Sequence, residues 1–187
     1  MALDVEVGNF NKSTGASGST DTITTSFEPK ALIIWGMNGQ TSPGESGGDL
    51  ILGYGYSDGV NDRCIATRSA DAQSKGSSEN GARNDAAIGF IDPAGSGFTS
   101  YGTITFNATP NFQVTWTVNE AIATEINWII FGGADITGVQ VGDFASPAST
   151  GTQNIPTDAD VRGITDGNGV LLVGSVLETS MNSTLRS

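Results

Sequence analysis

Between residues 101 and 120 the chain alternates almost without fault. Ile104, Phe106, Ala108, Phe112, Val114, Trp116 and Val118 hold even positions. Thr103, Thr105, Asn107, Thr109, Asn111, Gln113, Thr115, Thr117 and Asn119 hold odd ones. A period of two belongs to extended chain with one buried face and one wet face. The run is broken at Asn107-Ala108-Thr109-Pro110-Asn111, where turn residues cluster and Pro110 cannot donate to a ladder. A hairpin follows, 102–107 against 112–118, with Ile104, Phe106, Val114 and Trp116 sharing the inner face as cross-strand pairs.

The same reading places further strands at 4–10, 22–27, 31–36, 49–56, 63–68, 86–91, 126–131, 138–144 and 170–174. The runs ALIIW, WIIF and VLLV are apolar at both parities, the pattern of central strands covered on both sides. No stretch of a dozen residues carries a helical stripe. NEAIATEINW, 119–128, suits either a turn or two of helix or a loop leading into a strand. Glycine, at 26 of 187 residues, is about twice as common as usual and falls between the apolar runs, where turns need positive φ. Many short strands separated by Gly, Asn, Asp and Pro predict an all-β sandwich or barrel, and of the two an antiparallel β-sandwich of jelly-roll type is expected. Residues 1–137 form the sandwich in this reading and 138–187 a strand-containing extension. The polar stretch SADAQSKGSSENGARND, 69–85, lacks periodicity and reads as an exposed loop, where contacts are commonly carried.

The extension echoes the beginning. VEVGNF at 5–10 returns as VQVGDF at 139–144, and Ser13-Thr14-Gly15 as Ser149-Thr150-Gly151. A partial second repeat would present strands lacking partners, and such strands seek a neighbour, in their own sheet or in another copy.

Composition narrows the function. A chain of 187 residues can bury a core without disulfides or metal. Its single cysteine, Cys64, excludes an intrachain disulfide and reads as an unpaired small side chain. Twenty acidic residues against eight basic give a net charge of -12, which repels nucleic acid phosphates. No apolar run approaches the length of a membrane span. The first ten residues, MALDVEVGNF, lack the basic and apolar segments of a signal peptide, so synthesis in a cytoplasm is expected. The Asn-x-Ser/Thr patterns at Asn11, Asn107 and Asn182 then carry no weight.

Catalytic motifs fail on their chemistry. Gly44-Glu45-Ser46-Gly47-Gly48 fits G-x-S-x-G, but the chain has no histidine, and nothing in the spacing pairs Ser46 with Lys30 or Lys75. GQTSPGES, 39–46, has the glycine spacing of a phosphate loop with Glu45 in place of the lysine. A calcium loop is approached at 157–169 by Asp158, Asp160 and Gly163, but Arg162 and Gly169 stand where oxygen donors are needed. No cofactor is expected, with Ca2+ the weaker alternative. Glu120 and Glu125 are the carboxylates a glycosidase would use, and on one strand they would face opposite ways. Of the aromatics, Trp35, Trp116 and Trp128 lie in apolar runs and are expected in the core. Tyr54 and Tyr56 share one strand face, forming a candidate contact for a glycan or a protein partner; Tyr101 is a further ring suited to stacking.

The segments SFEPKALIIWG, DGVNDRCIATRS, FQVTWTVNE and EINWIIFGG resemble, in this order, a group of phage virion proteins built from apolar strands closing in Gly-Gly. VQVGDFASPASTGTQNI resembles the start of a further unit in them, and the likeness spans roughly 1–155. It implies a non-enzymatic structural protein on the head or tail surface of a virion, assembling through sheet edges and loops into a homo-oligomer with other virion proteins. The alternative from another class is a carbohydrate-binding module recognising surface glycans through Tyr54, Tyr56 and the 69–85 segment.

Overall fold

The computed structural model describes residues 3–41, 50–70, 77–91, 97–144, 150–152 and 184–186. Among them there is no helix. The strands are β1 (Asp4–Asn11), β2 (Thr20–Thr24), β3 (Pro29–Met37), β4 (Leu50–Ser57), β5 (Asp62–Ala70) and β6 (Ser77–Arg83). After these come β7 (Ile88–Ile91), β8 (Phe98–Asn107), β9 (Asn111–Val118), β10 (Glu125–Gly132) and β11 (Thr184–Arg186). The larger sheet runs β1-β10-β3-β4-β5-β6-β11 and the smaller β2-β9-β8-β7, with every pairing antiparallel. The protein is all-β, and its two sheets enclose one core as a sandwich.

The hairpin at 101–120 forms as its alternation requires. Phe106 faces Phe112 and Ile104 faces Val114 across β8 and β9. Val114, Trp116 and Phe112 are fully buried, while Phe106 lies at the margin of the core. From the larger sheet, Leu32, Ile34, Ile126, Trp128 and Ile130 close the core against them. The rings of Phe112 and Trp128, one from each sheet, meet edge to face at 5.5 Å between centroids.

Strand β4 solves a different packing problem. Its inward residues beyond Ile51 are Gly53, Gly55 and Ser57. Strand β7 crosses directly over them. A Cβ at Gly53 would collide with the carbonyl oxygen of Gly89, and one at Gly55 with that of Ala87. Close approach of two backbones is the reason for these two glycines. Cys64 and Ala66 on β5 continue the small-residue floor beneath β7.

Polar groups inside the sandwich tie the sheets together. Asp62, at the start of β5, accepts the Ile104 N–H of β8 at 3.0 Å. Lys12 is only 2 % exposed; its ammonium donates to the Asn119 side chain and to Glu120 O at 2.7 Å, and lies 5.2 Å from the centre of the Trp116 ring. Asp21 accepts Trp116 Nε1–H at 2.7 Å. The Lys12 bonds fasten the end of β1 to the link between β9 and β10, the Asp21 bond fastens the middle of β2 to β9, and the Asp62 bond joins β5 to β8.

Several expectations need correction. The 69–85 segment is not one exposed loop: 77–83 form β6, paired in register with β5. Its alternation is hidden because its inward positions are Glu79, Gly81 and Arg83 rather than apolar residues. Buried Glu79 faces buried Arg68 across the ladder, 3.6 Å from it. Residues 138–144 are not a strand. Val141 N–H is accepted by Asp58 at 3.0 Å and Asp143 pairs with Arg63, so side chains rather than a sheet edge hold this segment. VEVGNF and VQVGDF therefore differ in local structure. Of the two readings of 119–128, the loop leading into a strand is the one that forms, with 119–124 running into β10. ALIIW and WIIF are central strands, but only one face of each meets the core; the other is half-exposed. The expected strand at 170–174 and the candidate calcium loop at 157–169 lie outside the described residues. Strand β11 pairs with β6 of its own sheet.

Candidate functional site: an apolar outer face with an open edge

The register of the larger sheet follows from its inner face. Once Leu32 and Ile34 point inward, Ile33 and Trp35 must point outward. The same parity sends Ile129 and Phe131 of β10 outward, and likewise Val5 and Val7 of β1. Tyr54, Tyr56 and Leu52 of β4 complete the set, since their inward neighbours are the glycines under β7.

The pairings bring these side chains together in rungs. Val7, Ile129, Ile33, Tyr56 and Arg63 stand in one row across five strands. Asn9, Asn127, Trp35, Tyr54 and Ile65 form the next. Tyr54 and Tyr56 share a face, as their spacing demands, and their rings meet edge to face at 5.0 Å. Burial pushes the Tyr56 phenol above its ordinary range, and Tyr54 beside it acts in the same direction. Neither tyrosine is fully open to solvent. Exposure rises toward the margins, to 51 % at Val5 and 68 % at Val7 on the outermost strand.

Trp35 is the aromatic that strand reading placed wrongly. Trp116 and Trp128 are in the core, at 0 % and 4 % exposed, but Trp35 stands on the outer face directly opposite Tyr54. In ALIIW only one parity can face the core when the other sheet lies on one side, and a run apolar at both parities does not say which. Tyr101 is not free for stacking, because the Arg83 guanidinium sits over its ring at 3.6 Å. Arg83 in turn pairs with Asp85 at 2.8 Å.

The residues considered for catalysis are dispersed. Glu120 lies in the loop after β9, its N–H held by Ser100 Oγ at 2.9 Å, whereas Glu125 opens β10. Lys30 is occupied by the carbonyls of Gly133 and Ile136, at 2.8 and 2.6 Å. Ser46 and Lys75 lie outside the described residues. Among those described, no group of three metal-ligating side chains gathers. Cys64 is free and buried, and burial pushes its thiol up to about 12, so it stays protonated and unreactive at neutral pH.

Two aspartates flank the β4–β5 turn under opposite influences. At Asp58 burial works to raise the carboxyl pKa, but hydrogen bonds from Asn61, Val141 and Val60 outweigh it and hold the group below its usual range. At Asp62 burial wins over the bonds from Ser57 and Ile104, and the pKa rises. The turn that borders the outer face is thus anchored by one carboxylate stabilised as the ion and one that is not.

No protein-family model matches this chain, and neither a curated protein nor a solved structure matches it.

Proposed function

We propose that this chain is a non-catalytic structural protein of a phage virion, assembling on the head or tail surface through the larger sheet. One observation carries the assembly part of this reading. The outer face of the smaller sheet is lined by threonines and amides, while that of the larger sheet carries Val5, Val7, Ile33, Trp35, Ile129 and Phe131. Solvated faces of antiparallel sheets are ordinarily polar, and contiguous apolar surface marks a place where another surface docks. The resemblance of the strand segments to phage virion proteins supplies the setting. The net charge of -12 suits a protein that must stay dispersed until assembly.

Two measurements test this. Light scattering of the purified chain should give a mass above the monomer as concentration rises. Peptides of the chain should be enriched in purified particles from a lysate that expresses it. A monomer at all concentrations, together with absence from particles, would refute the proposal.

A glycan-binding reading is favoured by one arrangement: Trp35 opposite Tyr54, with Asn127 beside them in the same rung. Aromatic rings next to amides suit the faces and hydroxyls of a sugar. A glycan array showing signal that Trp35→Ala abolishes would establish it, and an array at background would remove it.

A further inference from the structure

The edge strand β1 says which partner the larger sheet accepts. Among the described strands β1 pairs with β10 alone. Its free backbone groups can be assigned. Lys12 N–H donates to Thr124 O at 2.8 Å, continuing the register in which Asn11 faces Glu125. Both backbone groups of a residue point to the same side of a strand, and the side alternates along the chain. The even residues of β1 therefore bond β10. The N–H and C=O groups of Val5, Val7, Asn9 and Asn11 face outward from the sheet edge.

We infer that β1 pairs antiparallel with β1 of a second copy about a two-fold axis at Val7, joining two larger sheets into one. This rests on the assembly reading above and names its partner. The sequence of the strand selects this register. With Val7 opposite the second copy's Val7, Val5 meets Asn9 and Leu3 meets Asn11, all through outward-facing groups. Glu6 then stands opposite Gly8, and Asp4 opposite Phe10, so no carboxylate faces another. A slip of two residues one way sets Glu6 against Glu6 at the closest spacing in an antiparallel ladder. A slip the other way loses the valine pair and leaves Val7 against Asn9. Glu6 is also restrained: its carboxylate accepts the Ser26 N–H at 2.8 Å and the Ser26 hydroxyl at 2.6 Å of its own chain. The paired geometry extends the apolar outer face across both copies, adding Val5 and Val7 from each.

The neighbouring edge gives the contrast. Strand β2, at the same side of the sandwich, exposes Thr20, Thr22 and Thr24 and presents no apolar row. Strand β1 carries no proline, no lysine and no bulge, the usual devices that keep an edge from pairing.

Sedimentation of the full chain over a concentration series tests the inference. A monomer–dimer equilibrium is expected, strengthening as salt screens two copies of charge -12. Val7→Pro removes one outward N–H and spares the bonds to β10, and proline is tolerated at such an edge position. It should weaken the dimer tenfold or more, on the order of 1.4 kcal/mol, with the thermal transition retained. Val7→Lys is the second variant and should act alike. Oxidised Val7→Cys chains should link, because facing Cα atoms in a hydrogen-bonded pair lie about 5.5 Å apart, within disulfide reach. Val5→Cys chains should not, their positions lying roughly 13 Å apart along the strand. Buried Cys64 leaves the background silent. A dimer or larger assembly unaffected by both Val7 variants, or linkage through Val5 instead of Val7, overturns the inference while leaving the assembly reading intact. A chain that stays monomeric overturns the inference too, and particle composition then decides the wider reading separately.

Discussion

Strands β9 and β4 alternate with the same period but send their bulk in opposite directions. In β9 the large side chains Phe112, Val114 and Trp116 are buried, and Gln113, Thr115 and Thr117 face outward. In β4 glycines face inward and Leu52, Tyr54 and Tyr56 face outward. The first arrangement is what a strand does when it closes a core over open space. The second arises because β7 runs so near that no side chain fits at Gly53 and Gly55. The consequence is functional. The smaller sheet turns a polar face to water, whereas the larger one carries apolar and aromatic residues on its outer face as well as in the core. A wide apolar face of this kind, bordered by a strand that has one partner among the described strands, is the surface the proposed assembly would use.

The largest effects that separate the two faces belong to the interior. Trp116→Ala should cost about 3–5 kcal/mol in urea denaturation, since it empties a fully buried site and removes one of the donors to the Asp21 carboxylate. Trp35→Ala, on the outer face, should cost about 1 kcal/mol or less. If the two tryptophans proved equally costly, the distinction between the faces would fail.

A second contrast lies within β4. Gly55→Ala should destabilise by about 1–3 kcal/mol, because the new methyl group meets the Ala87 carbonyl and one backbone must shift. Tyr54→Phe, one residue away and pointing outward, should stay within about 0.5 kcal/mol. Thermal denaturation of the pair is the check.

Smaller effects come from the aspartates beside the outer face, and they should have opposite signs with pH. Asp58 has a lowered pKa in the folded chain, so its contribution is present above the ordinary carboxylate pKa and is lost as pH falls through the folded value. Relative to the parent, Asp58→Asn should look worse as pH rises from strongly acidic to neutral. Asp62 has a raised pKa, so its stabilising contribution is present below the ordinary value and is lost as pH rises through the folded one. Asp62→Asn should gain on the parent over the same rise. Parallel slopes for the two variants would contradict the opposing environments.

The smallest change expected in the folded monomer is at the open edge. Val7→Lys should leave its stability within about 0.5 kcal/mol, because Val7 is 68 % exposed. A larger loss in dilute protein would mean that β1 is packed more tightly than its exposure indicates.

Alternation by itself determined much of this protein. Short apolar runs with turn residues between them specify strands, since each strand's periodicity and its terminating Gly, Asn or Pro act locally. The hairpin at 101–120 and strands β1, β3, β4, β5 and β10 were legible for that reason. Tyr54 and Tyr56 were legible as a pair, because residues two apart on a strand must share a face. What alternation cannot say is which parity faces the core when both are apolar or when the inward one is glycine. That depends on where the second sheet lies and how near β7 comes, both matters of contact between distant segments. Trp35 was misplaced for this reason. Strand β6 was hidden because Glu79 is buried against Arg68, a residue eleven positions earlier that only the β5–β6 ladder brings opposite. Lys12 was overlooked because its acceptors, Asn119 and Glu120, lie more than a hundred residues away along the chain. Local periodicity decides that a segment is extended; only the packing of one sheet on another decides which of its sides is left for a partner.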